Sequence, residues 1–139
     1  ALRPLVAAPF FLETNVTCTQ QLAAIIGDID IISMDIKLPS ALPRPVWEAH
    51  RSFLRIARTK DIYLKMVLSA ETREEEFLEG VRLIREEAPD ALLILQPVTP
   101  FGGCEAIAPA RVLALQAAAA RQLRDVRVIP QTHRMMQQL

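Results

Sequence analysis

Two periods of hydrophobic and polar residues alternate along this chain, and they predict strands separated by helices. Residues 1–8 read as the end of an earlier helix running into Pro9. Phe10-Phe11-Leu12 predicts a short strand ending in the polar tip Glu13-Thr14-Asn15. Thr17 followed by Gln20 is a capping-box pattern, opening a helix through Leu22, Ile25 and Ile26 that stops at Gly27. From Ile31 the chain reads as a buried parallel strand with no turn former until Pro39. Pro39, Pro43 and Pro45 keep the next loop extended, and Pro45 suits the first turn of a helix. The buried stripe of that helix is Trp47, His50, Phe53, Leu54 and Ala57.

Tyr63 to Ser69 predicts the third strand. Thr72 with Glu75 forms a second capping box, with Glu71, Glu74, Glu75 and Glu76 crowding the positive end of the helix dipole. Phe77, Val81, Ile84 and Ala88 give that helix its apolar face. Leu92 to Val98 is the fourth strand, Val112, Leu115, Ala119 and Leu123 line the last helix, and Val126–Ile129 is the fifth strand. The order is β-α-β-α-β-α-β-α-β, with crossovers long enough for a parallel sheet. A barrel of eight such units takes about 250 residues, or ~30 per unit, so this chain holds about four and a half. It is either a small doubly wound domain or the second half of a barrel.

Side-chain alternation places Ile32, Met34 and Ile36 on one face of the central strand and Ile31, Ser33, Asp35 and Lys37 on the other. The second face turns polar towards the C-terminal tip, where an α/β barrel carries its chemistry. The competing reading is an exposed strand end with a solvated Asp/Lys pair. Lys65 points inward by the same alternation, either as a site cation or as the partner of a neighbouring strand's acid. His50 is a stripe residue with no partner pattern and receives no site role.

Composition narrows the function classes. The chain is 51% apolar, with 16 acidic and 16 basic residues and no run of like charge, which argues against a nucleic-acid-binding face. No apolar run approaches the ~20 residues of a membrane span, and the start lacks a signal-peptide plan, so a cytoplasmic protein is expected. Cys18 and Cys104 lack CxxC spacing and suggest neither a zinc site nor a disulfide framework. Gly102-Gly103 is a weak phosphate-binding signal, since neither GxGxxG nor GxxxxGKS occurs.

Several strand tips together resemble the 7-carboxy-7-deazaguanine synthase family of radical S-adenosylmethionine enzymes. They are Glu13-Thr14-Asn15, Ser33-Met34-Asp35-Ile36-Lys37-Leu38-Pro39-Ser40, Gln96-Pro97-Val98, and Val126-Arg127-Val128-Ile129-Pro130-Gln131-Thr132-His133. The resemblance runs from about Phe10 to the C-terminus. It implies an α/β fold, a parallel-sheet partial (β/α) barrel of the radical S-adenosylmethionine type, with residues 1–139 as the C-terminal portion of one barrel domain.

The implied reaction uses S-adenosylmethionine, a [4Fe–4S] cluster and Mg²⁺ to contract the ring of 6-carboxy-tetrahydropterin with loss of ammonia, feeding deazapurine and queuosine synthesis. Carried over by position, the resemblance gives Asn15, Val16, Ser33, Asp35, Lys37 and Gln96 to the cofactor. It gives Thr14, Gln131 and His133 to the pterin. A lysine can neutralise the methionine carboxylate, and Asp35 can accept from ribose hydroxyls. No residue of this chain is assigned to catalysis or to a metal. A homodimer acting on a small molecule is implied, with neither nucleic acid nor membrane as partner.

Two features depart from the family. Val16 stands where the family has glycine, and a β-branched residue disfavours positive φ and close backbone approach. The three-cysteine loop CxxxCxxC and the glycine-rich second-strand motif are absent, so the segment alone is expected to be inactive. The alternatives are another radical enzyme of the same superfamily, such as a glycyl-radical-activating enzyme, or a non-catalytic half-barrel that binds a nucleoside-like ligand or packs against a partner.

Overall fold

The computed structural model describes residues 7–15, 19–100 and 105–131. The expectations for Val16, for the Thr17 cap, for Gly102-Gly103 and for His133 lie outside these residues, as does most of the helix end expected over residues 1–8. Five strands form one sheet: β1 (Phe11–Thr14), β2 (Ile31–Asp35), β3 (Asp61–Leu68), β4 (Leu92–Pro97) and β5 (Val126–Val128). Four helices connect them: α1 (Thr19–Ile25), α2 (Trp47–Ala57), α3 (Glu74–Glu87) and α4 (Pro109–Ala120). Short 3₁₀ turns cover Ile26–Asp28 and Pro39–Ala41.

The strand order is β1-β2-β3-β4-β5, and every neighbouring pair is parallel. A doubly wound sheet reverses direction at an internal strand, so its order cannot run in sequence. The doubly wound alternative is therefore set aside, and the sheet has the continuous winding of a barrel wall. Successive helices pack side by side, α1 on α2, α2 on α3 and α3 on α4.

The core lies between sheet and helices. Ile32 and Met34 of β2, Leu64, Met66 and Leu68 of β3, and Leu93 and Leu95 of β4 are fully buried, together with Phe53 and Leu54 of α2 and Phe77, Val81 and Ile84 of α3. The expected stripes of α2 and α3 are thus the ones buried, except that Trp47 at the start of α2 is only partly so. Helix α3 lies so close on β3 that a Cβ at Gly80 would stand 2.9 Å from Met66 Cε. The opposite face is only half covered: Tyr63, Lys65, Val67, Ile94 and Gln96 are of intermediate exposure, and Phe11, 6.2 Å from the Tyr63 ring, is 52% exposed.

Two local expectations are corrected. Helix α3 is capped one residue later than predicted: Arg73 takes the cap position, and its N–H donates to Glu76 Oε1 at 3.1 Å. Thr72 Oγ1 instead accepts the Ser69 N–H at 3.0 Å, closing the turn after β3. The shift has a physical reason, since Glu76, unlike Glu75, also receives a loop from β2. Pro45 precedes the first turn of α2, whose cap is Val46.

Candidate functional site

Register decides which strand-tip side chains share the open face. Glu13, Ser33, Tyr63 and Leu92 lie in one row, and Asp35, Lys65, Ile94 and Arg127 in the next. Val67 and Gln96 form the row beyond. Along β2 the face therefore runs from Ile31 through Ser33 to Asp35 and Lys37, apolar to charged, as alternation predicts.

Four charges meet at that rim. Lys65 Nζ pairs with Glu13 Oε1 and stands 3.4 Å from Asp35 Oδ1, at ion-pair distance but off hydrogen-bond geometry. Lys37 Nζ donates to Asp35 Oδ2 at 3.0 Å. Burial works against the Lys65 ammonium, but Glu13 and Asp35 outweigh it and hold its pKa above the ordinary lysine value. Lys65 is thus paired with the acids of β1 and β2, as one of the two readings expects. Lys37 keeps about a third of its side chain exposed, at 32%. Beneath this layer Ser33 Oγ is buried without a hydrogen-bond partner among the described residues.

Behind the rim, the backbone that carries Lys37 is tied twice. The Ile36 N–H still follows the sheet, donating to Lys65 O at 2.8 Å. The next amide, Lys37 N–H, leaves it and donates to His50 Nε2 at 3.3 Å. Because Nε2 accepts, the His50 ring is neutral with its proton on Nδ1. Burial, and then the Lys37 charge, lower the His50 pKa to about 4. Three residues on, the Ser40 N–H donates to Glu76 Oε2 at 3.0 Å, and its hydroxyl donates to Glu76 Oε1. Burial opposes ionisation of Glu76, but bonds from Ser40 and Arg73 more than compensate and lower its pKa.

Ser33, Asp35 and Lys37 are brought together as expected, and Gln96 lies at the same end of the sheet. Thr14 pairs with Met34, in a row whose other members face the helices, while Glu13 occupies the open face. Asn15 is exposed just beyond the strand. Gln131 Oε1 accepts the Thr99 N–H at 3.0 Å, which ties the segment after β5 to the loop after β4. Sequence reasoning missed Glu13, His50 and Glu76. The period-2 pattern of β1 held the signal for Glu13, whereas the contacts of His50 and Glu76 cross 13 and 36 positions.

Among the described residues no group of three His, Cys, Asp or Glu could hold a metal ion. With two cysteines in the whole sequence, the residues do not fit a thiolate [4Fe–4S] site within one chain. The rim does fit a zwitterionic nucleoside: an ammonium for a carboxylate, acceptors for hydroxyls, and the orphaned Ser33 hydroxyl. A groove of about 370 Å³ at the N-terminal end of β3 and β4, lined by Arg58, Asp61, Glu87 and Asp90 among others, lies away from this rim. Among the described residues no helix is long and apolar enough to cross a membrane.

Fold and rim define the class: a parallel α/β partial barrel with a charged C-terminal site. The chain is 44% identical over 132 residues to the 7-carboxy-7-deazaguanine synthase of Geobacter sulfurreducens, a match that spans 94% of this chain and 53% of the relative. The chain therefore spans about half the length of the curated relative it matches. No family model matches the chain, and no solved structure does.

Proposed function

We propose that this chain is the later half of the barrel of a 7-carboxy-7-deazaguanine synthase, and that its rim binds S-adenosylmethionine and the carboxypterin. The observation that carries the reading is the Asp35–Lys37 tip, set on the open face of a sequentially wound parallel sheet in a chain 44% identical to such a synthase. Lys37 is the group for the methionine carboxylate, Asp35 and Gln96 accept from or bond the nucleoside, and Ser33 supplies a hydroxyl beneath them. By the resemblance alone, Asn15 and Val16 are assigned to the cofactor and Thr14, Gln131 and His133 to the pterin.

Losing a charge-assisted hydrogen bond costs about 1.5–3 kcal/mol, roughly ten- to a hundredfold in affinity. In the full-length protein, Lys37→Met is therefore expected to raise the dissociation constant for S-adenosylmethionine by that factor and leave the pterin's nearly unchanged. His133→Ala is expected to do the reverse. Titrating both ligands into both variants tests the assignment, and equal effects on the two ligands, or none, contradict it.

The 139-residue segment by itself is expected to bind no [4Fe–4S] cluster after anaerobic reconstitution, because it holds two cysteines. Stoichiometric iron and sulfide, with the visible absorption of a cluster, would count against this.

A further inference from the structure

We propose that His50 and Glu76 are positioning residues that hold the Lys37–Ser40 loop in the conformation that binds ligand at the rim; the inference rests on the reading of Lys37 given above. At Lys37 the backbone leaves β2, and its amide is the first beyond the strand that the sheet does not engage. That amide is satisfied by His50 Nε2, from a ring with no exposed surface. At the far end of the loop both polar groups of Ser40 go to the carboxylate of Glu76, itself 6% exposed. Between these ties, Leu38 is buried and Pro39 restricts φ.

Neither tie is explained by capping or by core formation alone. Glu76 already satisfies the Arg73 amide at the start of α3, yet it also receives Ser40 from another loop. His50 keeps its Nδ1 buried without a partner, a cost that an apolar residue in the stripe of α2 would avoid. A leucine would fill the same stripe, so the acceptor nitrogen is what distinguishes histidine there. With both ends held, the side chain of Lys37 projects over the open face beside Asp35 at 3.0 Å, and its ammonium is placed before ligand arrives.

The test is made in the full-length protein with S-adenosylmethionine and the carboxypterin as probes, alongside thermal melts. His50→Leu is expected to weaken S-adenosylmethionine on the order of tenfold, as for other outer-layer supports. The pterin constant should stay within about twofold of the parent's. His50→Gln, whose side-chain carbonyl reaches the place of Nε2, should restore most of the affinity. Ser40→Ala, which removes only one hydroxyl, should weaken the same ligand several-fold, and it decides the question if His50→Leu does not fold. An unchanged constant for S-adenosylmethionine, equal losses for both ligands, or no recovery with glutamine overturns the proposal. Lys37→Met, measured in parallel, separates the two levels. If it also leaves S-adenosylmethionine unaffected, the reading of the rim fails. If it alone weakens binding, only the positioning role fails.

Discussion

Phe77→Ala should destabilise the fold by about 3–5 kcal/mol, lowering the melting temperature by roughly 10 °C or more. Phe77 is fully buried on α3, within the core that joins the helices to β2, β3 and β4. Removing its ring loses the transfer free energy of the apolar surface and leaves a cavity. The walls of that cavity cannot easily collapse, because Gly80, one turn further along the helix, already brings α3 close to β3. Leu113 on α4 is the control: it is 62% exposed, and alanine there should change stability by no more than about 0.5 kcal/mol. Calorimetry on both variants checks the contrast, and similar melting temperatures would show that the layer between sheet and helices is not the core.

Acid should weaken the fold through His50. Its pKa is about 4 in the folded protein against 6.5 for an ordinary histidine. The unfolded chain therefore binds more protons than the folded one between those values, and stability rises with pH across the interval. The contribution is fully present above pH 6.5 and is lost as pH falls through 6.5 towards 4. A difference of this size is worth about 3 kcal/mol. The cause is first the burial of the ring and then the charge of Lys37; protonation would also abolish the acceptor that holds the Lys37 amide. Glu76 and Glu87 add to the loss at still lower pH, since both have lowered pKa values and stabilise only when ionised. Denaturant titrations from pH 7 to pH 4 should show this slope, and His50→Leu should flatten it. A parent protein whose stability is constant across that range contradicts the buried neutral ring.

Much of the fold is legible in the sequence because its elements are amphipathic. Alternation in β2 and β3 tells which side chains face the helices, and the stripes of α2 and α3 fall at helical spacing. Length and element order left two architectures open, since a doubly wound domain and a barrel segment share the same β-α-β grammar. Only strand order separates them, and strand order is a property of pairing between distant segments.

The rim follows the same division. Ser33, Asp35 and Lys37 lie on one strand, so their common face is readable from spacing. Glu13 meets Lys65 across 52 positions, and nothing local in either strand encodes that meeting. His50 looks apolar in pattern because it sits in the buried stripe of α2; its role depends on where the chain leaves β2. The misplaced cap at Thr72 has a similar origin. Thr72 with Glu75 and Arg73 with Glu76 offer the same spacing one residue apart, and the tertiary bond from Ser40 to Glu76 selects between them.

The most direct measurement is product formation by the full-length protein. After anaerobic reconstitution it is mixed with S-adenosylmethionine, 6-carboxy-tetrahydropterin and Mg²⁺, and the products are followed by mass spectrometry. Expected are 7-carboxy-7-deazaguanine and released ammonia, with Lys37→Met slowing turnover mainly at limiting S-adenosylmethionine. A cluster-loaded protein that leaves the pterin unchanged contradicts the assignment.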